Sequence, residues 1–266
     1  MTEKSKQTEM PSVTVPIPLT LLHIPHSSTI IPEAVRGQFV VDATGMSQEI
    51  LAMTDWYTDE LFALEGAATV IYPQSRLVTD PERFPDDADE PMSGRGMGIV
   101  YTKTSQGKPL RRLITAKERA TCIRDYYEPH HARLSTLVDE ALSAHGQCLI
   151  IDAHSFPSRP LPCDLNQKPN RPEICIGTDA FHTPTAFVAL AIQVFTAAGW
   201  TVGVDDPYSG ALVPMGIYKR DQRVTSLMVE VNRELYMNES TGKKLVGYDI
   251  FRTKFQACLA RLNLLL

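Results

Sequence analysis

The order of apolar runs and amphipathic segments predicts a three-layer α/β/α fold with a mixed, mainly parallel sheet. Three observations carry this. Short, almost wholly apolar runs such as Cys148-Leu-Ile-Ile151 are what a strand buried on both faces requires. Segments with apolar residues at helical spacing separate those runs, as crossover helices between parallel strands must. Polar clusters containing histidine follow directly on two of the runs, at the strand ends where sheets of this kind place their sites.

The first strand is Val15 to His23, leading into Pro25, His26, Ser27 and Ser28. Residues 46 to 65 carry Ile50, Met53, Leu61, Phe62 and Leu64 at helical spacing and stop at Gly66, after which Ala68 to Tyr72 reads as a strand. Residues 80 to 112 are rich in Pro, Gly, Asp and Arg, the composition of a functional loop. Thr115-Ala-Lys-Glu118 has the form of a capping box and opens a long helix through Ile123, Tyr127, Leu134, Leu137 and Leu142, ending near Gly146. The strand Cys148 to Ile151 leads into Asp152-Ala-His154-Ser155. Strands then follow at Glu173 to Ile176, Trp200 to Val204 and Ser226 to Val231, with helices at Pro184 to Ala198 and Lys243 to Leu265. Residues 1–14 are polar and expected to form a flexible tail, leaving 15–266 as one domain.

Composition narrows the function. A net charge of −5 gives no basic footprint, which argues against nucleic acid and anionic membrane surfaces as partners. No stretch has the length of a membrane span and the first residues lack the apolar core of a secretion signal, so a cytoplasmic protein, monomeric or a small homo-oligomer, is expected. Five cysteines without CxxC spacing fit neither a disulfide framework nor a cysteine zinc cage. Gly94, Gly96 and Gly98 follow no strand and open no helix, unlike a phosphate loop.

The chemistry-bearing residues lie at the strand ends. His26 and His154 occupy equivalent places among small polar residues, where a neutral imidazole can face a cleft and bind a metal. A catalytic zinc keeps three protein ligands and an open position, so a third is needed. Asp55, on the predicted helix beside Trp56, is the leading candidate, set against a solvated helix-surface aspartate; His23 is the alternative, provided the chain turns at Pro25. Glu230 sits in the otherwise apolar Met228-Val-Glu-Val231, where a charge is costly unless functional or paired to Arg233 or Arg223; next to a metal it would act as general base. Arg76 and Arg83 suit bidentate capture of a substrate carboxylate. A serine hydrolase built on Ser27 or Ser155 lacks the GxSxG elbow.

Taken in order, Pro25-His26-Ser27, Thr54-Asp55-Trp56, Ser75-Arg76 with Asp80 and Arg83, Gly96-Met97-Gly98 with Tyr101, Tyr127, Pro129 and His131, Asp152-Ala153-His154-Ser155, and Glu230 through Glu239 resemble the N-formylglutamate amidohydrolase family. The resemblance covers most of the chain. It implies a zinc-carboxypeptidase-like (phosphorylase/hydrolase-like) fold related to aspartoacylases, with one zinc ion held by His26, Asp55 and His154, Glu230 as catalytic base, and Arg76 and Arg83 as substrate clamp. The implied reaction is hydrolysis of N-formyl-L-glutamate or a similar small-molecule N-acyl amino acid to formate and the free amino acid. Two departures stand out. Thr29 occupies the place where the carboxypeptidase HxxE pattern has its acid, and the family's Asp-Leu-Asn-Arg reads Asp80-Pro81-Glu82-Arg83 here, so an N-acyl amino acid is implied without glutamate being fixed. Two rivals remain: a carboxypeptidase-like metallohydrolase acting on small peptides, and a non-catalytic small-molecule binding protein on the same fold.

Overall fold

The computed structural model describes residues 19–263. The expected tail at 1–14, the first residues of the first predicted strand and the last of the closing helix lie outside them. The strands are β1 (Thr20–Ile24), β2 (Ala68–Ile71), β3 (Cys148–Phe156), β4 (Ile174–Gly177), β5 (Val202–Val204) and β6 (Val224–Asn232), in a six-stranded sheet of order β2-β1-β3-β6-β4-β5. The pairs β1–β2, β1–β3, β3–β6 and β4–β5 are parallel; β4 and β6 are antiparallel, so β4 and β5 run against the other four. The mixed, mainly parallel sheet expected from the sequence is therefore present. The pair β7 (Met237–Asn238) and β8 (Lys243–Lys244) forms a separate small hairpin where the closing helix was expected to begin.

The strand period of two sorts the side chains between the faces. Leu149, Ile151 and Ala153 of β3, with Leu227, Val229 and Val231 of β6, pack against α6 (Thr185–Ala197) and α7 (Tyr248–Asn263). Phe255 of α7 is fully buried between Phe62, Phe195 and Trp200; truncating a phenylalanine so placed costs about 3–5 kcal/mol. On the opposite face, Leu21, Cys148, Ile150 and Val224 meet Leu134, Leu137, Val138 and Ala141 of α5 (Glu128–His145). Helices thus cover both faces, giving three layers.

The long helix predicted from Thr115 forms in parts. The capping box is present, with Thr115 Oγ1 accepting from the Glu118 N–H, and it starts α4 (Ala116–Cys122); a π-helical turn at Ile123–Tyr127 then leads into α5, which ends at Gly146 in the left-handed region. The helix predicted over 46–65 is also interrupted. After α1 (Glu33–Arg36), α2 (Ala43–Met53) begins on the Asp42 cap, and α3 (Thr58–Leu61) follows only after a break at residues 54–57, where Tyr57 takes φ 65°. The Asp55 N–H donates to the carbonyl of His26 at 2.9 Å across that break, a tertiary bond that outcompetes the helical one. Asp55 therefore lies in the break and not on a helix. Among the described residues no helix is long and apolar enough to cross a membrane.

Candidate active site

The C-terminal ends of β1, β3 and β6 lie on one rim of the sheet, beneath a cavity of about 540 Å³. His26 is the second residue beyond β1, while β3 continues through Asp152 and His154 to Phe156, and Glu230 lies on β6 directly opposite His154 in register. His26, Asp55, His154 and Glu230 are all buried and all line the cavity.

Asp55 Oδ2 lies 3.2 Å from His154 Nδ1 and 3.6 Å from His26 Nδ1, and one donor atom from each residue falls within 4.8 Å of the others. The far nitrogens are held by carboxylates: His26 Nε2 is 2.8 Å from Asp80 Oδ1, and His154 Nε2 is 3.1 Å from Asp152 Oδ1. An ionised carboxylate only accepts, so Nε2 of each ring carries a proton, and loss of the proton that His154 Nδ1 gives to Asp55 would leave each ring a lone pair on Nδ1 to turn inward. His26 Nδ1 is buried without a hydrogen-bond partner, as is Glu230 Oε2. Two imidazole nitrogens and a carboxylate oxygen, with an orphaned nitrogen among them, fit a zinc-class ion. His23 belongs elsewhere: its Nδ1 is 2.8 Å from Asp152 and 3.1 Å from Glu82, and its Nε2 is 2.8 Å from His130. These contacts form a second polar group, buried His23 and Asp152 with half-buried Glu82, beside His154.

Arg233 fastens the first group from below. It follows β6 in a 3-10 turn and donates to Asp55 Oδ1 at 2.8 Å, to the Ala52 carbonyl at 2.7 Å and to Ser155 Oγ at 3.1 Å. Its guanidinium is therefore spent on Asp55 and Ser155, and Arg223 pairs with Asp221 at 2.6 Å, so neither arginine takes up Glu230 as a structural salt bridge would require. A surface role for Asp55 is likewise inconsistent with its 1% exposure.

The electrostatics follow from these partners. Burial works against charge on Asp55, but the hydrogen bond from His154, the neighbouring His26 imidazole and the Arg233 charge hold its carboxyl well below the usual range. Burial also opposes charge on His154, yet Asp152 and Asp55 outweigh it and push the imidazole well above its ordinary value. The proton that His154 holds between two carboxylates stands where the charge of a bound cation would replace it. Glu230 differs: burial, reinforced by Asp55, raises it to about 8 against the pull of His154 and Arg233. A carboxyl poised near neutrality is suited to moving a proton in both directions.

Arg76 and Arg83 both reach the cavity and share one counter-ion. Arg76 donates to Asp80 Oδ2 at 2.8 Å and to the Tyr101 hydroxyl at 3.2 Å; Arg83 Nε stands 3.5 Å from the same Asp80 oxygen with no hydrogen bond of its own, and Tyr101 also donates to Asp80. Asp80→Asn would leave these cations without a buried anion. The expected cost is about 3–5 kcal/mol of unfolding free energy, by the cost of breaking a buried pair, read as a lower denaturant midpoint at unchanged slope.

The family model for N-formylglutamate amidohydrolase matches residues 19–237. The chain belongs to the N-formylglutamate amidohydrolase family. As a member it is an amidohydrolase, an enzyme that hydrolyses an amide C–N bond. Its fold is similar to the crystal structure of N-formylglutamate amidohydrolase from Ralstonia eutropha JMP134, with TM-score 0.79 and 23% identity over 94% of each chain. It is also similar to the crystal structure of a gene product from Agrobacterium tumefaciens, with TM-score 0.61 and 20% identity over 91% of each chain. No curated protein matches.

The residues assigned from sequence thus converge on one cavity, but their supports were not assigned. Asp152 and His154 stand two apart on a strand and so point to one face, a signal that would have paired them. Asp80 and Arg233 had no such signal, since their partners lie across the fold at His26 and Asp55.

Proposed function

We propose that this amidohydrolase family member is metal-dependent and hydrolyses an N-formyl or similar N-acyl amino acid, releasing formate from an N-formyl substrate together with the free amino acid. The observation that carries the proposal is the convergence of His26 Nδ1, Asp55 Oδ2 and His154 Nδ1 in one cavity with Glu230 across the strand register from His154. Those three residues would hold a zinc ion, which when bound supplies Lewis-acid polarisation of the acyl carbonyl and a more acidic water.

The chain's own groups supply the rest. Glu230 takes the proton from the attacking water and returns it to the leaving nitrogen, which departs as an amine because an amide anion is too poor a leaving group. Asp152 and Asp80 keep the two imidazoles in one tautomer and orientation throughout. Arg76 and Arg83 hold the α-carboxylate, which the reaction leaves untouched, and so fix the scissile bond in place.

The test combines metal analysis of the purified protein with formate release from a panel of N-formyl amino acids. Stoichiometric metal with no turnover on any of them would favour a binding protein over an enzyme. Replacing the substrate's α-carboxylate by a neutral amide is expected to lower kcat/KM by about tenfold or more, because the arginine charge is then left unpaired in a partly desolvated cleft. That gap should narrow in Arg83→Ala. Equal efficiency on acids and amides would remove the clamp from the mechanism. The cavity volume favours one second reading, cleavage of a small peptide, and hydrolysis of a dipeptide panel faster than the N-formyl series would select it.

A further inference from the structure

Resting on that reading of the site, we infer that the substrate is an N-acyl amino acid with one carboxylate and an apolar side chain, methionine or leucine in type, and not glutamate. The first support is the charge lining the cavity, where the described residues include Arg76, Arg83 and Arg233 and no lysine. Arg233 is spent on Asp55, Ser155 and Ala52, and Arg76 and Arg83 already share Asp80. One of their two charges is thereby neutralised, which leaves one for a substrate carboxylate. The remaining acids on the walls, apart from Asp55, Asp152 and Glu230, are Glu82, Glu90, Asp164 and Asp179. Glu90 adds to the field on Arg83, and Asp164 is held by Arg171 from behind at 2.7 Å. A second carboxylate would enter a cavity whose described residues offer no unshared cation to receive it.

The second support is the wall beside the clamp. Met53, Met92, Met97, Leu161 and Cys163 belong to one apolar cluster and line the cavity next to Arg76. Methionine walls are unbranched and polarizable, and adapt to linear or branched aliphatic groups without presenting a hydrogen-bond partner. A γ-carboxylate against this surface would lose its water and find no donor in return, a cost that falls on the charged form above all. An aliphatic side chain gains from the same contact.

The experiment compares kcat/KM for formate release by the zinc-loaded full-length protein on N-formyl-L-methionine, N-formyl-L-glutamine and N-formyl-L-glutamate. The expected order is methionine, glutamine, glutamate, with methionine ahead of glutamate by about tenfold or more, the scale on which an apolar pocket discriminates. Met92→Lys, at a half-buried position on the wall, should narrow the gap by raising use of glutamate. Glutamate equal to or better than methionine in the wild type would overturn the inference while leaving the amidohydrolase reading intact. Formate release from none of the three by metal-replete protein would overturn both.

Discussion

Alanine at His154 is expected to abolish bound zinc and formate release together. In the proposed site the ring would contribute one of three donors, and its Nε2 is held by Asp152 so that Nδ1 is presented to Asp55 and His26. Removing it leaves two donors, too few for a catalytic zinc, which is held by three protein ligands. Asp152→Asn provides the graded companion, since loss of a partner that orients a ligand costs about 10–100-fold in metal affinity or activity. The measurement is metal content by elemental analysis after dialysis, beside turnover. Full occupancy in His154→Ala would remove this residue from the ligand set.

Glutamine at Glu230 should give the opposite dissociation, keeping the metal and the fold while losing turnover by about 10²–10⁴-fold, the usual contribution of a positioned general base. The substitution is isosteric, and no arginine salt bridge is broken because Arg233 and Arg223 are engaged by Asp55 and Asp221. Stability supplies an independent check. Burial holds the Glu230 carboxyl up at about 8, which means that its charge is disfavoured where it stands, so a neutral amide should leave Tm unchanged or raise it. Near wild-type turnover would place the base elsewhere; a lowered Tm would mean that Glu230 is paired in a way its orphaned oxygen does not suggest.

Periodicity made most of the fold legible. Apolar runs marked β1, β3 and β6, the capping box marked the start of α4, and the strand ends drew attention to His26 and His154. Local pattern was less informative wherever a long-range bond decided the outcome. The predicted helix over 46–65 breaks at Asp55 because the His26 carbonyl takes its N–H, and the apolar residues on either side keep helical spacing regardless. His23 remained open as an alternative to Asp55 for the third ligand for the same reason, since an HxxH spacing does not say where the strand stops. Ending β1 at Ile24 leaves His23 facing His130 and Asp152, and lets His26 turn to Asp55. Asp80 is the clearest case of an unassigned support. Its partners Arg76 and Arg83 are neighbours in sequence, but its role as the orienting group for His26 depends on a contact between distant segments.

The reversed direction of β4 has a consequence for how such a protein diversifies. Because β3 finishes and β4 begins on the same rim, residues 157–173 leave and re-enter the sheet without crossing to its other end, and Leu161, Cys163, Asp164 and Asn166 all reach the cavity from this excursion. A segment anchored in this way can be lengthened or exchanged with little penalty, since each doubling of a flexible loop adds only about 0.6 kcal/mol of closure entropy. The pairing of His154 with Glu230 sits in the β3–β6 ladder and is untouched by such edits. Descendants of one ancestor could thus trade one acyl amino acid for another by rewriting this excursion while inheriting the reaction unchanged.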